Sequence, residues 1–112
     1  MSREINKLLT DIDKSIALIE TYLLNVPTYE AFESDVLTMD GVQRRLSIVG
    51  EALWKADKLD QALPITDKKR IISFRHILIH NYDLLSDATI WKICTEHLPV
   101  LKTEVQALLN TR

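Results

Sequence analysis

The apolar residues at the start of this chain follow a spacing that only one kind of secondary structure can use. Ile5, Leu8, Leu9, Ile12, Ile16, Ile19 and Leu23 recur at intervals of three and four. That places them on one side of an α-helix, whereas a strand would scatter them over both faces. Lys7, Asp11 and Lys14 take the opposite side. The stripe predicts a helix from Arg3 to about Asn25. Pro27 enforces the stop, because the residue before a proline avoids helical backbone angles. So long an apolar ridge must be buried, and the rest of the chain has to supply helices to cover it.

The rest is written in the same period. A second helical stretch is predicted from Tyr29 to about Asp57, with Thr28 as its cap and Glu30 in its first turn. Its stripe is Phe32, Val36, Met39, Val42, Leu46, Val49 and Leu53. Asp40-Gly41 is its weakest point, where a kink or a short break is expected. Asp57 to Thr66 reads as a connection ending in Leu63-Pro64. Thr66 then caps a third helix with Asp67 in its first turn, leading into Ile71, Ile72 and Phe74. After a turn at Asp83-Leu84-Leu85, Ser86 or Asp87 caps a last helix from about Asp87 to Leu109. Ile90, Ile93, Cys94, Leu98, Leu101, Val105 and Leu108 form its stripe, and Pro99 should bend it. With 2 Gly and 3 Pro in 112 residues there is little material for turns. The fold class expected is all-α, an up-and-down bundle of four to five helices forming one domain over residues 1–112.

Composition narrows the function. A formal net charge of −2 argues against wholesale non-specific nucleic-acid binding but leaves room for a local basic groove. Lys68-Lys69-Arg70 reads first as a solvated helix start, and its placement beside Arg75 keeps open a second reading in which it steers a phosphate backbone. The lone Cys94 permits no internal disulfide, and a charged N-terminal stretch is no signal peptide, so a cytoplasmic protein is expected. No apolar run approaches the roughly 20 residues of a membrane span. Cys94 is read as a small buried side chain, His97 as a surface histidine, and Trp54 and Trp91 as core or interface aromatics. There is no Gly-rich phosphate loop, no H-E-x-x-H and no nucleophile elbow, so no cofactor is expected. His76 and His80 have the spacing of two zinc ligands, but no Glu follows His76 and no third ligand is evident, so no metal is expected.

The groups able to do chemistry crowd into Arg75–Tyr82, RHILIHNY. Ionisable groups so close to Ile77, Leu78 and Ile79 must be paired or reach an open groove, since burying them alone is costly. Arg75 and Tyr82 share a helix face, while Arg75 and His80 point about 140° apart. The long arginine side chain, an unwound turn near Asn81, or a second copy of the helix can each bring them together. Arg44 and Glu51, seven residues apart and therefore co-facial, either flank a groove or sit on a solvated face.

Arg75, His80 and Tyr82 form an R-x4-H-x-Y pattern that resembles HepT-like toxins, members of the HEPN superfamily of small helical ribonucleases. Val49-Gly50-Glu51-Ala52 is similar to that family's I-G-E-A stretch, and Trp91 with Leu98-Pro99 resembles its closing segment. Where many members have Asn or Asp after the arginine, this chain has His76, also polar. The resemblance implies a metal-independent endoribonuclease acting as the toxin of a toxin–antitoxin pair. In such an enzyme the ribose 2′-hydroxyl attacks the adjacent phosphorus, with His80 moving the proton and Arg75 stabilising the phosphate oxygens. It further implies an RNA substrate, a homodimer whose site forms between protomers, and AMP transfer to Tyr82 by an MntA-like nucleotidyltransferase antitoxin. Glu51, Arg44, His76 and Asn81 are candidates for supporting roles. The competing reading is a non-catalytic helical module that docks a nucleotidyltransferase. A pure docking module need not keep R-x4-H, which favours the enzyme.

Overall fold

The computed structural model of the chain describes residues 2–80 and 86–111, the side chains of 79 and 80 excepted. All of its regular structure is helical. Helix α1 spans Arg3–Leu23, α2 Tyr29–Ser34, α3 Val36–Leu59, α4 Lys68–His80, α5 Asp87–Lys92 and α6 Leu98–Asn110. A π-turn, Ile93–His97, joins the last two into one rod. Tyr22 of α1 lies against Gly41 of α3, and Glu4 and Lys7 share a groove with Lys58 and Leu59. The two helices are therefore antiparallel. The same test makes α4 antiparallel to α3, through Asp57–Lys68 and Glu51–Arg75, and α6 antiparallel to α1, through Glu20–Lys102 and Asp13–Gln106. The result is the expected up-and-down bundle.

Ser2 starts α1 by accepting the Ile5 N–H at 3.1 Å, and Ile5, Leu9, Ile12, Ile16 and Ile19 are buried along it. They pack on Val42, Leu46, Val49 and Leu53 of α3 and on Ile93, Leu98, Leu101 and Val105 of the last rod in one core. Cys94 belongs to this core, and burial pushes its thiol up to about 12. Trp91 closes one end, its ring 5.3 Å from that of Phe32 and 6.3 Å from that of Tyr29.

Local chemistry departs from the sequence reading at four places. The break in the second stretch falls at Asp35, not at Asp40-Gly41. Asp35 accepts the Thr38 N–H at 3.0 Å and so starts a new helix; this bond holds its carboxyl below the usual range. The restart shifts the helical phase, which leaves Val36 69% exposed rather than in the core. Gly41 stays helical and serves the approach of Tyr22. At the third helix Asp67, not Thr66, takes the capping position, its carbonyl accepting the Ile71 N–H, while the Thr66 hydroxyl donates to Glu104 at 2.6 Å. Pro99 disturbs its helix one turn earlier than a simple bend: the Leu98 N–H reaches back five residues to the Ile93 carbonyl, the wide turn that often relieves a helix under local strain.

His97, read as a surface histidine, is instead a mostly enclosed link between elements, its side chain 13% exposed. Its Nε2 lies 3.2 Å from Arg70 Nη1, and its Nδ1 lies 3.1 Å from Asp67 Oδ2. A guanidinium only donates, so Nε2 accepts and Nδ1–H donates to the carboxylate. The π-turn is thereby clamped to the start of α4.

Candidate functional site

The site is built where α3 and α4 come closest, and Gly50 sets that distance. A Cβ on Gly50 would collide with Arg75 Cβ and stand 3.1 Å from Arg75 Cγ. Only a hydrogen fits. A glycine inside a helix costs about 1 kcal/mol against alanine; here it allows α4 to lie flush on α3.

The next residue uses that proximity. Arg75 Nε donates to Glu51 Oε2 at 2.6 Å, and Nη2 lies 2.5 Å from the same oxygen. Glu51 Oε1 faces Lys55 Nζ at 3.6 Å. The arginine is mostly enclosed, its side chain 14% exposed, and Glu51 is more open at 35%. The Arg75 guanidinium carbon also lies 4.8 Å from the centre of the Trp54 ring, over which Lys58 Nζ sits at 4.0 Å. Charge-assisted hydrogen bonds on one side and an aromatic face on the other fix the fork in one orientation. Two of its five N–H donors are used by Glu51.

Arg44 is exposed and reaches neither Arg75 nor Glu51 directly. It lines, with Ser47, Glu51 and Lys55, a groove of about 390 Å³ between α3 and α1. Arg44 and Ser47 also border a second groove, where Leu78 of α4 forms the far wall. The two readings of Arg44 and Glu51 coexist: Arg44 is solvent-exposed, and both residues line the same groove. His76 is exposed on α4. Helix α4 is described as far as His80; the His80 side chain, like Asn81 and Tyr82, lies outside the described residues. Because α4 is helical through His80, no turn unwinds between it and Arg75, and Arg75 itself is turned toward α3. Among the described residues no group of three or more His, Cys, Asp or Glu is placed to hold a metal ion.

Two participants were not picked out as site residues from sequence. Trp54 and Lys58 carry an i,i+4 spacing that predicts neighbours on one helix face, but nothing local says that Arg75 shares the ring.

The family model for HepT-like ribonucleases matches residues 12–108, which include the Gly50–Glu51 and Arg75 layers of the site. The chain belongs to the HepT-like ribonuclease family. A protein of Thermococcus cleftensis, named as a HepT ribonuclease, is 31% identical over 96% of this chain and 98% of its own length. A protein of Methanocaldococcus jannaschii that bears an RNase name is 29% identical over 93% of this chain and 95% of its own. Both names assign the activity provisionally. No solved structure is a significant match.

Proposed function

We propose that this chain is a toxin-type, metal-independent endoribonuclease whose site is centred on Arg75 and His80. The supporting observation is the state of Arg75: a permanently charged fork held by Glu51 and Trp54 beside a groove, on the helix that carries His80. An arginine oriented in advance suits an oxyanion that gains charge in the transition state, because no reorganisation is needed when the charge develops. The ribose 2′-oxygen forms a bond to phosphorus as the 5′-oxygen departs. One imidazole takes the 2′ proton and another, protonated, supplies the leaving oxygen. The products are a 2′,3′-cyclic phosphate and a 5′-hydroxyl. Glu51 acts here as a positioning residue, and a second copy of α4 across a homodimer brings the histidine that the 140° separation on one ideal helix denies.

The test is cleavage of RNA in EDTA, with the new ends identified. Cyclic-phosphate termini that vanish in Arg75→Ala and in His80→Ala support the proposal, each variant losing at least about 100-fold in rate. Intact RNA together with tight binding to a nucleotidyltransferase would support the docking module instead.

Regulation is proposed at Tyr82, the tyrosine of the R-x4-H-x-Y pattern, as the acceptor of AMP from an MntA-like nucleotidyltransferase antitoxin. Each adenylyl group adds a phosphodiester charge and a base two residues from His80, repelling and obstructing an incoming RNA phosphate. Co-expression with the cognate transferase should add AMP-sized mass to the Tyr82 peptide and silence cleavage. Persistence of the addition in Tyr82→Phe would defeat this assignment.

A further inference from the structure

One strip of α3 has a composition that neither its helix nor the core requires. At 100° per residue, Arg44, Ser47, Glu51, Trp54, Lys55 and Lys58 fall within an arc of about 100°. The strip is about 21 Å long at 1.5 Å per residue. Arg44, Lys55 and Lys58 are exposed on it and Trp54 is partly exposed. Its one acid between Arg44 and Lys58 is Glu51, engaged by Arg75 through one carboxylate oxygen and facing Lys55 at 3.6 Å through the other. Asp57 lies off the strip and is neutralised by Lys68 at 2.8 Å. On the facing α1, Asp11 is paired with Lys7 at 3.3 Å, and Glu4 stands near the far end with Lys58. Asp40, one turn before Arg44, bounds the strip at the other end. A chain of net charge −2 thus gathers three cations and an aromatic ring on a single line.

We infer that this strip is a track for single-stranded RNA, with Trp54 as its stacking platform and Lys55, Lys58 and Arg44 as its phosphate contacts. The inference deepens the ribonuclease reading and rests on it for the identity of the polyanion. Its direct support is the Trp54 ring, which holds Lys58 Nζ at 4.0 Å and the Arg75 guanidinium at 4.8 Å. A lysine resting on a half-open ring is readily exchanged: the base takes the ring, and the ammonium moves to the adjoining phosphate. Because the same ring touches Arg75, a base stacked on Trp54 sets the register of the strand relative to the arginine. Stacking accepts any base and backbone contacts carry no sequence, so the track recognises unpaired strands with little sequence preference.

The probe is a short 2′-O-methyl oligoribonucleotide, which keeps bases and phosphates but has no attacking hydroxyl. Trp91→Phe leaves Trp54 as the single tryptophan, and its fluorescence should fall on titration with the probe. Lys55→Gln and Lys58→Gln should each flatten the dependence of log K on log salt by about 0.7, the value for one phosphate contact on a single strand. Trp54→Ala should weaken binding about ten-fold, and Trp54→Phe, which keeps a ring, should recover most of it. Circular dichroism separates lost binding from lost folding, and the two lysine variants touch no core. No binding by the wild-type chain, or lysine variants with wild-type affinity and salt slope, overturns the track. If those variants bind normally while Arg75-dependent cleavage persists, the track falls and the ribonuclease proposal stands. If they lose binding although the wild type never cuts RNA, the track stands and the catalytic proposal falls.

Discussion

Gly50 reverses the usual effect of glycine in a helix. Replacing a helical glycine by alanine ordinarily stabilises, by up to about 1 kcal/mol. At Gly50 the new methyl would meet Arg75 Cβ, where neither backbone can give way cheaply. Overpacking of this kind costs about 1–3 kcal/mol. Gly50→Ala should therefore lower the denaturation midpoint, push α4 outward and loosen the Arg75–Glu51 pair, so that RNA cleavage falls more than stability does. Gly41→Ala is the control. There the added carbon would stand 3.3 Å from the edge of the Tyr22 ring, a side chain that can shift, so the change should be close to neutral. A Gly41→Ala as damaging as Gly50→Ala would refute the assignment.

At the scale of elements, the link through His97 explains how α4 is seated. His97→Ala removes a side chain that joins Asp67 to Arg70 and releases the start of α4 from the π-turn. A loss of about 1 kcal/mol is expected, since Asp67 can recover water; urea unfolding measures it, and an unchanged midpoint would contradict the clamp. The all-α class and the up-and-down order of the long helices were legible beforehand, because a stripe such as Ile5 to Ile19 is a purely local signal. The position of a break was less so. Asp40-Gly41 carried the weaker helix propensity, yet Asp35 offered a side-chain acceptor to the Thr38 N–H, and that bond decided the boundary. The Arg75–Glu51 contact joins residues 24 apart in sequence. The facing of Arg44 and Glu51 could be read along one helix. Which face of α4 would meet that helix depended on the absent Cβ of Gly50, a packing property that no periodicity records.

At the scale of the whole molecule, α4 is the least enclosed of the long helices for its composition. It carries Ile71, Ile72, Phe74, Ile77 and Leu78, but among its described side chains only Ile71 is fully buried. The others are partly exposed, flanking Arg75 and leading toward His80. An apolar helix left half-covered beside an arginine is the surface a second copy of the chain would cover, and an isologous contact would bring two arginines and two histidines into one groove. We therefore expect a homodimer with α4 and part of α3 at its centre. Light scattering at micromolar concentration should return twice the chain mass of 12.9 kDa. Ile77→Glu, which places a charge on that face outside the core, should shift the mass to that of one chain while leaving the helical signal intact. Cleavage should be lost with the dimer. Mixing Arg75→Ala with His80→Ala chains then tests the composite groove: if each half-site draws its arginine from one protomer and its histidine from the other, mixed dimers keep one working combination and regain part of the activity. A monomeric mass for the wild-type chain, or full activity in monomeric Ile77→Glu, would exclude a shared site.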